Sequence, residues 1–136
     1  LDLFSGTGSF GLECLSRGVK YVTFVENYTG IIPILKKNLN NLINLKNYKI
    51  IEKDILNKFD YQIFKKKFDI IFLDPPYKEN NLNDLIDGLL DNKILKTKGI
   101  IIIHRHKKQN DNFSEKFKIL DQKKYGISKI IFGTYS

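Results

Sequence analysis

LDLFSGTGSFG, residues 1–11, runs from a short apolar strand into Gly6, Gly8 and Gly11 and then into a helical pattern from about Ser9 through Ser16. The spacing is G-x-G-x-x-G. Glycine permits a sharp turn and a close backbone approach to a ligand, and the helix start behind it favours an electron-rich group. Glu26 ends the next apolar run, where an acidic side chain can accept both hydroxyls of a ribose. A strand, a glycine turn, a helix and a second strand ending in an acid predict an α/β chain that binds a nucleoside cofactor.

Outward from that stretch, short apolar runs alternate with helical patterns. Leu1 to Phe4, Tyr21 to Val25, Lys49 to Ile51, Asp69 to Leu73 and Ile100 to Ile103 read as strands, and the four connections between them read as helical. The clearest helix carries Ile31, Ile34, Leu35, Leu39, Leu42 and Ile43 on one face. Gly30 is its expected N-cap, and Pro33 falls in the first turn, where a missing N–H costs little. Asn81 to Leu90 reads as another helix, with Leu82, Leu85, Ile86, Leu89 and Leu90 inward. After Ile103, Phe117 to Lys124 and Lys129 to Phe132, broken at Gly126, read as an antiparallel hairpin at a sheet edge. The expected fold is a doubly wound, Rossmann-like α/β arrangement: a mostly parallel sheet, helices on both faces, and a C-terminal antiparallel strand pair.

The 136 residues are 42% hydrophobic and 28% charged, a globular composition, and are expected to form one domain over 1–136. No apolar run approaches the roughly 18 residues that span a bilayer. Cys14 is the one cysteine, which excludes an internal disulfide and fits a reducing cytoplasm; it reads as a small buried side chain. The chain opens at Leu1 inside a strand and contains no methionine, so a preceding segment is expected. Its formal charge is +8, with Arg17 and Arg105 the only arginines among 23 basic residues. Two readings of that charge stand side by side: contact with nucleic acid, or a lysine- and asparagine-rich compositional bias.

FDIIFLDPPY, residues 68–77, places Asp74, Pro75, Pro76 and Tyr77 at the C-terminal end of a buried strand, where open α/β sheets bind ligands. An amino group conjugated to a base or a carbonyl is a poor nucleophile because its lone pair is delocalised. Asp74 and the Pro75 carbonyl can accept its two N–H bonds, localising the lone pair and stabilising the positive charge that develops on nitrogen. Asp74 can also take the proton, Pro75 and Pro76 fix the turn, and Tyr77 can stack on a flipped base. No metal is required, and His104 and His106 make no convincing metal pair. The plain alternative is a Pro-Pro strand terminator with an exposed tyrosine.

The glycines suit both NAD and S-adenosylmethionine. Asp2 favours the latter, since a carboxylate there could meet a methionine amino group and would repel a pyrophosphate, and Phe4 could cover a sulfonium. Their plain alternatives are a capping carboxylate and a core ring. An NAD-dependent oxidoreductase would leave Asp74 to Tyr77 without a task.

These motifs resemble the S-adenosylmethionine-dependent amino-group methyltransferases. LDLFSGTGSFGLECLSRG, YVTFVE and FDIIFLDPPY, with the terminal KKYGISKIIF, resemble more narrowly the RsmD family, which methylates guanine N2 in bacterial 16S ribosomal RNA. The resemblance implies the methyltransferase version of the Rossmann-like fold, S-adenosylmethionine as cofactor, small-subunit RNA as partner and a monomeric state. It implies that Asp2, Ser5, Gly6 and Gly8 hold the methionine end, Glu26 with Asn27 the ribose, and Asp54 with Ile55 the adenine. Asp54 read alone is equally a loop carboxylate. Asp74, Pro75 and Tyr77 would act on the base, beside Pro76. Lys78, Arg105, Lys107 and Lys108 follow strand ends and are expected at phosphates, whereas Lys65 to Lys67 precede their strand and are expected in solvent. His104-Arg105-His106 stands where the family more often has an acidic residue. DNA adenine-N6 and protein glutamine-N5 methylation are the alternatives within the same chemistry.

Overall fold

The computed structural model describes residues 1–42 and 46–136, so Ile43 lies outside the described residues. Two compact units divide the chain at Asn57 and Lys58.

In the first unit, β1 (Asp2–Leu3), β2 (Val22–Val25) and β3 (Tyr48–Ile51) pair in parallel, with β2 in the middle. Helices α1 (Ser9–Ser16) and α2 (Ile32–Asn40) connect them. The α2 cap is Ile31 rather than Gly30; Pro33 does fall in the first turn, and Leu42 comes after the helix has ended. Leu15, Val22, Phe24, Leu35 and Leu39 form the buried core, with Leu12, Cys14, Tyr48 and Ile50 against it. Of the face expected on α2, Leu35 and Leu39 pack against Val22 and Phe24 of β2, while Ile34 is exposed. Burial pushes the Cys14 thiol above its ordinary value, which suits a packed side chain and not a nucleophile.

In the second unit, β4 (Phe68–Leu73) pairs in parallel with β5 (Leu95–His106), and β7 (Ser128–Tyr135) lies antiparallel between β5 and β6 (Phe117–Tyr125). The expected hairpin is present. Helix α3 (Leu82–Asp91) buries Leu82, Leu85, Ile86, Leu89 and Leu90 as its spacing predicts. One expectation fails: the connection before β4 holds a single 3-10 turn, Tyr61–Ile63, capped where the Asp60 side chain accepts from the Gln62 amide. Its aromatic residues pack on one another instead of along a helix face. Phe59 stands 5.4 Å from both Tyr61 and Phe64, and Phe64 stands edge-on to Phe68. Tyr61 also occupies the space over Gly88 of α3 that a larger residue would fill. Among the described residues no helix is long and apolar enough to cross a membrane.

Gly11 of α1 faces Phe24, and a methyl group there would run into the Phe24 ring and Val22. Phe24 is fully buried and has nowhere to move. Gly11→Ala gains about 1 kcal/mol of helix propensity but meets an overpacking cost of about 1–3 kcal/mol. A lower midpoint in chemical denaturation is the expected outcome; a raised midpoint would show that the first unit has slack at this contact.

Candidate active site

The glycine loop leaves β1 through Phe4, whose φ of 57° is a left-handed conformation costing about 1–2 kcal/mol for a residue with a side chain. Several bonds hold it there. Ser5 N donates to Val25 O (3.1 Å), Gly8 N to Ser5 O (2.8 Å), and Asn38 Nδ2 of α2 to Thr7 O (3.0 Å). Gly6 (φ 54°) and Gly8 (φ 83°) take the same region, and a Cβ on Gly8 would lie 2.5 Å from Leu35. Over Gly6, by contrast, a Cβ would meet nothing within 4 Å, so the loop surface is open there.

Two carboxylates close this loop. Glu26 accepts from the Gly6 amide through Oε1 (2.9 Å) and from the Asn27 and Tyr28 amides through Oε2 (2.8 and 3.1 Å). Asp2 is buried and its Oδ2 accepts from Gly11 N (3.1 Å), satisfying an otherwise orphaned amide of the first helical turn. The capping role considered for Asp2 is therefore real, whatever else the carboxylate meets. Ser5 Oγ is the one buried side-chain oxygen or nitrogen among the described residues with no hydrogen-bond partner. Asp54 forms a local turn, accepting from Leu56 N (2.9 Å), and the Ile55 side chain is buried. Because β1, β2 and β3 are parallel neighbours, Phe4 to Gly8, Glu26 with Asn27, and Asp54 with Ile55 all follow strand C-termini at one edge of this unit.

In the second unit, Asp74 and Tyr77 are exposed while Pro75 between them is buried. The Pro76 carbonyl accepts from Glu79 N (3.0 Å) and, at 3.5 Å, from Arg105 Nη1, so it is committed to the turn. No donor among the described residues reaches the Pro75 carbonyl.

β5 extends beyond Ile103 because β7 goes on pairing with it, through His104 with Ile130, Arg105 with Lys129 and His106 with Ser128. Strand alternation puts Arg105 on the buried face with Ile101 and Ile103, and His104 and His106 on the other. All three side chains, and that of Gln109, meet the corner. His104 Nδ1 bonds Asp74 Oδ1 at 2.8 Å; the His106 ring stands edge-on to Tyr77 with centroids 5.9 Å apart; Gln109 Nε2 donates to the Tyr77 carbonyl at 2.6 Å.

Arg105 corrects the sequence expectation. It is 3% exposed, so it cannot serve as a phosphate contact. Its guanidinium donates to both oxygens of Asp111 (3.0 and 2.8 Å), to Glu79 O (2.8 Å) and to Pro76 O. Lys129, its buried neighbour on β7, donates to the Gln109 carbonyl. Lys78, Lys107 and Lys108 are exposed, and no carboxylate among the described residues holds them. Lys65 to Lys67 are exposed ahead of β4, at the opposite end of that strand from Asp74. Gln109, Asp111 and the task of His104 escaped the sequence reading. Carrying the alternation of Ile101 and Ile103 two residues further would have marked Arg105 as buried.

Removing one partner of a buried ion pair strands the other, at a cost of about 3–5 kcal/mol. Arg105→Leu is expected to lose that much stability in urea denaturation, and Arg105→Leu combined with Asp111→Leu to lose less than the single variant. A single variant within about 1 kcal/mol of the wild type, the range of a surface pair, would show that Arg105 does not hold the corner.

Residues 1–134 match the family model described as "Conserved hypothetical protein 95". The chain is 34% identical over 128 residues to a Haemophilus influenzae protein named ribosomal RNA small subunit methyltransferase D, covering 93% of this chain and 66% of that one. It is 36% identical over 110 residues to a Buchnera aphidicola protein of the same name, covering 81% and 56%. The chain thus spans less than two thirds of the length of these relatives. Among solved structures, a methylase from Haemophilus influenzae superposes with a TM-score of 0.79 at 31% identity, covering 97% of this chain and 84% of that one. An Escherichia coli methyltransferase superposes at 0.82 with 23% identity, covering 98% and 74%. The expected Rossmann-like methyltransferase fold is the one the chain has. With the match running over nearly all its residues and the named relatives sharing about a third of its sequence, the chain belongs to the RsmD family.

Proposed function

We propose that residues 1–136 act as one methyltransferase domain that moves a methyl group from S-adenosylmethionine to the exocyclic N2 amino group of a guanine in 16S ribosomal RNA. The observation that carries the reading is the corner at Asp74 to Tyr77, where the Pro76 carbonyl is tied into the turn and the Pro75 carbonyl is left for another donor. Family membership and the names of the relatives support the substrate class.

The residues of the glycine loop fit the cofactor. Ser5 Oγ lacks a partner, Gly6 has open space above it, and Glu26 already gathers the loop amides while retaining lone pairs for ribose hydroxyls. Asp2, Phe4, Ser5, Gly6 and Gly8 would hold the methionine end, Glu26 and Asn27 the ribose, Asp54 and Ile55 the adenine. When bound, S-adenosylmethionine supplies an electrophilic methyl group on a sulfonium. At the other half of the reaction, Asp74 and the Pro75 carbonyl accept the two amino protons, turning the nitrogen lone pair out of conjugation, and Asp74 receives the proton released on methylation. Tyr77 stacks on the flipped guanine beside Pro76. Lys78, Lys107 and Lys108, exposed and free of carboxylates, meet RNA phosphates. The protein acts as a monomer in the cytoplasm, on RNA or the small ribosomal subunit, and the chemistry calls for no metal.

Incubation with labelled S-adenosylmethionine and unmodified small ribosomal subunits should place label in N2-methylguanosine, and Asp74→Ala should abolish it. Label in N6-methyladenosine, in protein or nowhere would overturn the reading. Replacing Lys107 and Lys108 with Gln should flatten the salt dependence of RNA binding by about 0.7 log units per log unit of salt for each lost contact; an unchanged slope would remove these lysines from the interface.

A further inference from the structure

His104 is the side chain nearest to the proposed chemistry that the reaction as described does not use. It lies on β5 opposite Leu73's neighbour Asp74, since Leu73 pairs with Ile103 and both strands run the same way. The bond between His104 Nδ1 and Asp74 Oδ1 is 2.8 Å long, with His104 partly buried and Asp74 half exposed. A carboxylate can only accept, so Nδ1 carries the hydrogen in this bond. Asp74 is attached to the end of a strand by two rotatable side-chain bonds, and nothing else in the second unit bonds its carboxylate.

We propose that His104 is a positioning residue for Asp74: its Nδ1–H holds one carboxylate oxygen and thereby aims the other at the nitrogen that is methylated. The inference rests on the methyltransferase reading for its consequence and on the geometry of the second unit for its substance. An acceptor must lie along a donor's N–H direction to count, so a carboxylate free to rotate would spend much of its time misaligned. His104 removes that freedom without occupying the second oxygen. It is itself held in place by its pairing with Ile130 of β7 and, one residue back along β5, by the pairing of Ile103 with Leu73 of β4.

His106 supplies an internal comparison. Its Nδ1 accepts from the Lys108 amide at 3.1 Å, so when neutral it carries its hydrogen on Nε2, the opposite tautomer from His104. These are the only two histidines in the chain.

The test has two arms. Nitrogen-15 NMR of the imidazoles in mildly alkaline buffer should show one Nδ1–H and one Nε2–H tautomer in the wild type, and two Nε2–H tautomers in Asp74→Ala. Two Nε2–H signals in the wild type would overturn the proposal, whether or not the protein methylates anything. In the methyl-transfer assay, His104→Ala should lower kcat about 10- to 100-fold, the range for losing a hydrogen bond to a charged group. KM for S-adenosylmethionine should stay unchanged, and His104→Asn, whose Nδ2 can donate from nearly the same place, should recover most of the loss. Wild-type kcat in His104→Ala, or no recovery in a folded His104→Asn, would overturn it. Absence of activity in the wild type would instead defeat the methyltransferase reading and leave the NMR arm to decide the role of His104.

Discussion

A guanidinium withdrawn from water has to find acceptors, and Arg105 finds four: both oxygens of Asp111 and the carbonyls of Pro76 and Glu79. The second unit is arranged around that requirement. The turn after β4 has to bring two carbonyls inward, the segment after β5 has to return Asp111, and the loop between them is drawn in through Gln109, which reaches the Tyr77 carbonyl. An isolated buried charge would cost several kcal/mol, so the turn is either formed around Arg105 or the arginine is not buried. Arginine suits this place better than lysine because its planar fork can serve a carboxylate and two carbonyls at once.

The first unit uses the same logic with the charges reversed. There an anion, Glu26, collects the amides of Gly6, Asn27 and Tyr28, and the buried Asp2 takes that of Gly11. A carboxylate gathering N–H groups shapes the glycine loop, while a guanidinium gathering C=O groups shapes the proline corner. Each charge satisfies backbone groups that a tight turn leaves unpaired. In both places a residue proposed to touch a ligand is next to one that shapes the backbone: Ser5 beside Gly6, and Asp74 beside the buried Pro75.

The strong positive charge of the chain has no single meaning. Arg105 and Lys129 are buried and belong to the architecture. Lys36, Lys96 and Lys116 pair with Glu52, Asp69 and Asp91 on the surface, where such pairs contribute little to stability. Lys78, Lys107 and Lys108 remain unpaired near the Asp74 end of β4 and β5. Position relative to the strand ends, and not the net charge of +8, separates these groups.

Local pattern determined a large part of this protein. The glycines at 6, 8 and 11, the short apolar runs, the helical spacing of α2 and α3 and the break at Gly126 each act over a few residues, and each element they predict is present. The helix expected before β4 is missing because Phe59, Tyr61, Phe64 and Phe68 satisfy one another as a cluster, a choice made by packing partners and invisible to periodicity. The corner divides in the same way. Its residue types were legible because Asp74, Pro75, Pro76 and Tyr77 are contiguous in the chain. Their supports were not, since His104, Arg105 and Gln109 lie some thirty residues from the groups they hold. Sequence alone therefore marked which backbone turns and side chains are candidates for chemistry. The tertiary structure decided which of the nearby charges face solvent and which are buried, because burial depends on where β7 ends its pairing with β5, a long-range register that no local pattern encodes.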